Sequence, residues 1–232
     1  MKKGPKPLGN VKITWTPEFA YAIGLLVSDG CLYNDGRHIS LTSKDIVQLM
    51  TFNKCLGLTN KIGKKYSGSG NLAYHVQFSD VLFYQFLQRI GLSPAKSKTI
   101  GELHIPRKHF MDYTRGYFDG DGCSYSFYDS VFKNSFRFYI SFASGSEKYI
   151  QWFKARLESF VGIKGSINRK RGTTNVQLKY AKREAVILAK KMYYHEAVVC
   201  LERKRVKVYK SLEIIDTRRG GEIGKHAAFR TL

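Results

Sequence analysis

Polar and apolar positions along the chain fall into two successive series with the same order. Each opens on a stretch of helical length that ends in an acid and a glycine: Tyr21-Ala22-Ile23-Gly24-Leu25-Leu26-Val27-Ser28-Asp29-Gly30, then Tyr113-Thr114-Arg115-Gly116-Tyr117-Phe118-Asp119-Gly120-Asp121-Gly122. Read as helices, they place Gly24 with Ser28, and Gly116 with Gly120, on one face about one turn apart. Two such faces let two helices approach backbone to backbone, which would bring Asp29 and Asp121 together at one end of the pair. The closing glycine is expected to supply the permissive dihedral that stops each helix. Thr16-Pro17-Glu18 supplies an N-cap, a first-turn proline and an early acid for the first helix.

Behind each opening stretch the period changes. His38 to Lys44 alternates with period two, with Ile39 and Leu41 on one face and His38, Ser40, Thr42 and Lys44 on the other, which predicts a half-buried strand. Asp45 opens a helix over IVQLMTFNKCLGL. Lys61 to Tyr66 and Ala73 to Phe78 flank Ser67-Gly68-Ser69-Gly70-Asn71, a hairpin signal, and Asp80 caps the amphipathic VLFYQFLQRIGL. The second half repeats this order. Phe138, Ile140 and Phe142 alternate with Arg137, Tyr139 and Ser141, Glu147 to Phe153 opens the matching helix, and Val76-Gln77-Phe78 recurs as Val176-Gln177-Leu178. A second hairpin is expected near Asn168 to Gly172. The predicted fold is α/β (α+β), a tandem pseudo-twofold αββαββα repeat with a four-stranded antiparallel sheet in each half. Its expected divisions are a basic arm over 1–14, a first repeat over 15–92, a linker over 93–106, a second repeat over 107–215 and a basic tail over 216–232.

Composition adds a partner. Among 232 residues, Lys and Arg number 39 against 18 Asp and Glu, a formal charge of +21 spread along the chain, which fits a polyanion. The outward faces of the strands carry donors, acceptors and cations: His38, Ser40, Thr42, Lys44, Lys61, Lys65, His75 and Gln77 in one half. In the other they are Arg137, Tyr139, Ser141, Lys164, Ser166, Asn168, Lys170, Asn175, Gln177 and Lys179. Such a set suits strands that read base edges in a major groove while the longer cations meet phosphates. Cys31, Cys55, Cys123 and Cys200 have no metal-ligand spacing and are expected to be buried thiols in a reducing compartment. No apolar run has signal-peptide or membrane-spanning length, so the expectation is an intracellular protein with no membrane partner.

Two adjacent carboxylates repel unless a cation lies between them, so Asp29 and Asp121 imply a divalent metal or a raised pKa. Here the two opening stretches resemble the signature helices of the LAGLIDADG homing endonucleases, in the single-chain, two-motif form. The resemblance implies two sheets forming a saddle over double-stranded DNA and a monomer that cuts both strands of a long, partly asymmetric target. It implies Asp29 and Asp121 as catalytic metal ligands, with the carbonyls of Ser28 and Gly120 as further ligands. The implied metal is Mg²⁺, with Mn²⁺ as an alternative and Ca²⁺ able to occupy the site without supporting cleavage. A lysine after the last helix of each repeat is implied in the basic pocket; Lys96 and Lys204 match best, with Lys98 competing with Lys96. Gln77 and Gln177, with Lys44 and Ser144, are weaker members. Asp119 stands where the first copy has Val27 and is read as structural or peripheral, and Thr114-Arg115 replaces the usual apolar opening. The resemblance also implies an intron-encoded enzyme. The alternatives on the same scaffold are an RNA maturase acting on host intron RNA and a regulator that binds DNA without cutting. An endonuclease domain from an intein is less favoured, because no splicing-domain length flanks the repeats.

Overall fold

The computed structural model describes residues 9–66, 70–169, 172 and 175–218. The arm through residue 8, the hairpin residues Ser67 to Ser69, Lys170 and Arg171, and the tail from 219 lie outside the described residues. Helix α1 (Pro17–Asp29) is followed by β1 (Gly30–Leu32), β2 (His38–Ser43), α2 (Ile46–Leu56), β3 (Gly63–Tyr66), β4 (Leu72–Ser79) and α3 (Val81–Arg89). After a 3₁₀ turn (Arg107–His109) come α4 (Phe110–Asp121), β5 (Gly122–Tyr128), β6 (Phe136–Ser144), α5 (Glu147–Val161), β7 (Ser166–Arg169), β8 (Val176–Ala181) and α6 (Lys182–Met192). The two halves thus share one αββαββα order, and their antiparallel sheets share one strand order, β1-β2-β4-β3 and β5-β6-β8-β7.

Local chemistry sets the helix starts. Thr16, Asp45, Asp80 and Ser146 each accept a backbone N–H of the first turn of α1, α2, α3 and α5. The stops divide into two kinds. α2 and α5 close on left-handed glycines, Gly57 (φ 65°) and Gly162 (φ 74°). α1 and α4 do not, which corrects the expectation for Gly30 and Gly122: both are extended, with φ −80° and −85°. Their glycines answer a steric need, because a Cβ would lie 2.5 Å from the Leu26 carbonyl oxygen at Gly30 and 2.5 Å from that of Phe118 at Gly122. The chain passes straight from helix into strand at each acid.

The register corrects the alignment of the halves. Gly30 pairs with Leu41 and Leu41 with Val76, whereas Gly122 pairs with Phe142 and Phe142 with Leu178. Val76 therefore corresponds to Leu178, Gln77 to Lys179, and His75 to Gln177. The likeness of Val76-Gln77-Phe78 to Val176-Gln177-Leu178 is a slip of two residues. A two-residue slip leaves every side chain on its own face, so the burial pattern does not reveal it. Likewise Ser43, not Lys44, corresponds to Ser144, and each serine Oγ accepts the N–H two residues on, from Asp45 and Ser146.

The core joins the halves through α1 and α4 and is strongly aromatic around α4, where Phe110, Tyr113, Tyr117, Phe142, Tyr149 and Phe153 are all buried. Arg115 lies wholly inside it. A buried guanidinium needs its donors met, and here Nε donates to Val199 O (2.7 Å), Nη1 to Met192 O (2.6 Å) and Nη2 to Asp112 Oδ1 (2.7 Å). Arg115 thereby fastens the end of α6 and the segment after it to α4. Helix α7 (Glu202–Arg218) follows, an element not foreseen, and it crosses the division expected at residue 216. Its buried Val208, Leu212 and Ile215 recur at helical spacing, so its signal was present in the sequence. Asp119 is buried in the core, with Oδ2 accepting from Tyr21 Oη (2.8 Å) and Leu201 N (2.6 Å).

Candidate active site at the α1–α4 seam

The last residues of α1 and α4 are Asp29 and Asp121, and the seam between the helices leaves no room for side chains. A Cβ on Gly24 would lie 2.3 Å from Tyr113 O, and one on Gly116 would lie 2.0 Å from Tyr21 O. At Gly120 the same atom would meet Ser28 Oγ at 1.8 Å and Asp29 Oδ2 at 2.8 Å. The Asp29 carboxylate therefore lies against the backbone of the opposite helix, one residue from Asp121. Ser28 Oγ donates to Leu25 O at 3.0 Å and, more weakly, to Asp29 Oδ2 at 3.4 Å.

Lys96 and Lys204 both reach this end of the seam, but they are used differently. Lys96 follows α3, is 7% exposed, and donates a long bond, 3.4 Å, to Ser28 O. It lines a small cleft of about 70 Å³ with Ser97, Tyr117, Asp121 and Ser144. Lys204, in the first turn of α7, donates to Phe118 O (2.7 Å), Gly120 O (3.1 Å) and Gly122 O (2.7 Å). It caps the end of α4, where the helix leaves carbonyls unmatched.

Burial dominates the electrostatics. Asp29 is pushed from 3.8 to about 6, first by desolvation and then by Asp121, against the opposing pull of Lys204 and Lys96. Asp121 is raised by desolvation and pulled back by Lys96 and then Lys204. Each acid thus feels most strongly the lysine of the other half. Both lysines are lowered by desolvation, against nearby carboxylates. The fully buried Asp119 is raised to about 6 by desolvation, while its Oδ1 has no hydrogen-bond partner among the described residues.

The donor set suits a hard cation. Among the described residues no group of three His, Cys, Asp or Glu side chains gathers to hold a metal. The seam offers two carboxylates with raised pKa, close together, beside the carbonyls of Ser28 and Gly120. Mg²⁺-type ions take one or two carboxylates and complete their shell with water and phosphate oxygens. The residues therefore fit such an ion bound jointly with a phosphodiester. Lys204 engages Gly120 O at 3.1 Å, whereas Lys96 reaches Ser28 O at a longer 3.4 Å.

The remaining expected residues lie on the outer sheet faces or beside them. Thr42 and His75 pair one row beyond Leu41, the partner of Gly30, and Ala143 and Gln177 pair one row beyond Phe142, the partner of Gly122. Gln77 lies two rows farther, opposite Ser40. His75 thus stands in the position that sequence comparison assigned to Gln77. His38 is paired with Asp35. Ser40 and Ser141 are buried, and Ser141 Oγ accepts from Gln177 Nε2 (3.2 Å). Arg137 pairs with Asp129 at 3.0 Å. Tyr139 is half-buried beneath Lys179, and Ser166 Oγ donates to Lys179 O (3.4 Å). Lys44, Lys61, Lys65, Lys164, Asn168 and Asn175 are exposed at strand ends or on edge strands, and Lys170 lies outside the described residues. Cys31 and Cys123 are exposed, which corrects the expectation of four buried thiols, because they take the outward positions directly after Gly30 and Gly122. Cys55 and Cys200 are half-buried, and burial pushes both to about 12.

No family model and no curated protein matches the chain. Solved structures do. The homing endonuclease I-WcaI bound to its DNA recognition sequence is 11% identical, with a TM-score of 0.59, 84% of this chain and 88% of that one covered. The LAGLIDADG homing endonuclease I-GzeII in complex with its DNA target is 12% identical at 0.59, covering 93% and 96%. Full-length DUF199/WhiA from Thermatoga maritima is 13% identical at 0.57, covering 94% and 67%. At these identities the likeness concerns the fold, which is the tandem LAGLIDADG fold.

Proposed function

We propose that this chain is a site-specific DNA endonuclease that binds duplex DNA along its two sheets, as a pseudo-twofold monomer, and cuts both strands at the α1–α4 seam. The observation that carries the reading is the meeting of Asp29 and Asp121, each the last residue of a helix, at a seam so close that a Cβ on Gly120 would lie 2.8 Å from Asp29 Oδ2. A plain helix terminus needs no acid there, and setting two of them side by side, one half-buried, opposes folding.

Asp29 and Asp121 would hold a hard divalent ion such as Mg²⁺, which when bound neutralises phosphate charge and makes water nucleophilic. The chain's own residues supply the rest. Lys96, lining the cleft beside Asp121 and held by one long bond, places a positive charge where charge develops on a phosphate. Lys204 caps α4 and so positions Asp121. The asymmetry of the two halves removes any need for a palindromic target, unlike a symmetric homodimer. A second reading, a DNA-binding protein that does not cut, is favoured by one observation: the three carbonyl bonds of Lys204 leave the Gly120 carbonyl already engaged.

The test selects bound duplexes from a randomised pool and incubates them with the protein and Mg²⁺. The wild-type chain should cut both strands. Asp29→Asn and Asp121→Asn should each slow cleavage by on the order of a hundredfold, or leave nicking, as removal of a group facing developing charge does, while still binding. Tight binding by wild type with no cut on any selected duplex would establish the second reading.

A further inference from the structure

On the outer face of the second sheet, Tyr125 and Phe127 of β5 and Tyr139 of β6 form a row of near-parallel rings. Centroids lie 5.0 Å apart for Tyr125 and Tyr139, 6.0 Å for Phe127 and Tyr139, and 6.4 Å for Tyr125 and Phe127, with interplanar angles of 25°, 24° and 1°. The ladder produces the row, since Tyr125 pairs with Tyr139 and Phe127 with Arg137. Lys179 extends over it, its ammonium 3.9 Å from the Tyr139 centroid. Phe127 remains 47% exposed. Beyond it, Asp129 accepts the N–H groups of Val131 and Phe132, so the β5–β6 connection turns both outward, 78% and 66% exposed. Among the described residues, the first sheet lacks this surface. Its equivalents by register are Tyr33 and His38, crossed at 73° rather than parallel, with His38 tied to Asp35.

Exposed Phe127, Val131 and Phe132 continue the half-buried pair Tyr125 and Tyr139 into one apolar patch, and such patches mark an interaction site. The partner's chemistry follows from the parallel faces, the cation above them and the +21 charge of the chain, which together call for a polyanion that carries flat rings. Bases in a duplex are already stacked and offer edges, whereas unpaired bases offer faces, and these stack on aromatic side chains without regard to sequence. We infer that the outer face of the second sheet binds single-stranded nucleic acid, stacking an unpaired base on Phe127, which Tyr125 and Tyr139 back, while Lys179, over the Tyr139 and Tyr125 rings, meets the backbone. This rests on the nucleic-acid reading of the sheets and not on cleavage.

The experiment measures anisotropy of labelled oligothymidylate and oligouridylate of about 12 nucleotides, within the span of single-strand sites, beside a selected duplex. The double variant Tyr125→Leu, Phe127→Leu keeps apolar bulk and removes the ring faces. It should weaken single-strand binding about tenfold or more, by a clearly larger factor than any loss on the duplex, with melting temperature unchanged. Tyr125→Phe, which keeps its ring, should bind as wild type does and shows that the face matters rather than the fold. Binding of only the thymidylate or only the uridylate supports the inference and names DNA or RNA as the source. Equal loss on duplex and single strand, or no loss, overturns it. A wild-type chain that binds duplex but neither oligonucleotide overturns this inference alone, and one that binds none of the three overturns the nucleic-acid reading with it.

Discussion

At Asp29, burial and the neighbouring Asp121 outweigh two lysines, and the carboxyl is raised from 3.8 to about 6. Between those values the folded chain holds a proton that the unfolded chain has released, so stability without metal falls as pH rises through the window. A divalent ion requires the deprotonated acid. The rise in melting temperature on adding Mg²⁺ should therefore be small near about pH 5 and larger near about pH 7.5, where the ion relieves the repulsion. A rise of equal size at both values would show that the ion binds elsewhere. The two acids were legible because the Asp-Gly ending recurs at equivalent places. The division of labour between Lys96 and Lys204 was not, because among 39 Lys and Arg nothing in the sequence shows which ammonium will meet three carbonyls.

Among the elements, the α1–α4 contact makes the sharpest demand. Gly116→Ala would set a Cβ 2.0 Å from Tyr21 O, against backbone that cannot swing away as a side chain can. Alanine restores about 1 kcal/mol of helix propensity, but forced separation of the helices should leave a net loss of about 3 kcal/mol. Gly101→Ala, with nothing within 4 Å, should stay within about 0.5 kcal/mol. Urea denaturation of both variants measures this, and near-equal midpoints would rule out so tight a seam. The small-residue spacing that predicts this contact is local and was readable. The register was not, since a two-residue slip keeps each face intact; only interstrand hydrogen bonds counted from Gly30 and Gly122 assign His75, rather than Gln77, to the position of Gln177.

For the whole molecule, charge sets the behaviour with DNA. A chain at +21, with exposed Lys61, Lys65 and Lys164 at its strands, should release many counterions on a duplex. Affinity should fall by about a thousandfold or more between about 50 and 200 mM salt, the loss expected for six or more phosphate contacts. A nearly flat plot of log affinity against log salt would remove duplex DNA as the partner.

The sequence by itself determined the repeat, the capped starts of α1, α2 and α3, the alternation of each sheet and the recurring Asp-Gly at Asp29 and Asp121, because these rest on periodicity and capping within a few residues. It also determined the charge that points to a polyanion. Tertiary structure alone decided that Gly30 and Gly122 are required by crowding rather than by a left-handed turn. It also decided that Arg115 is satisfied by carbonyls some 80 residues away in sequence, at Val199 and Met192. It decided, too, that Tyr125, Phe127 and Tyr139 share one surface. Each depends on which distant backbone comes to lie opposite a residue, and that is set by helix contact and strand register rather than by the residues on either side.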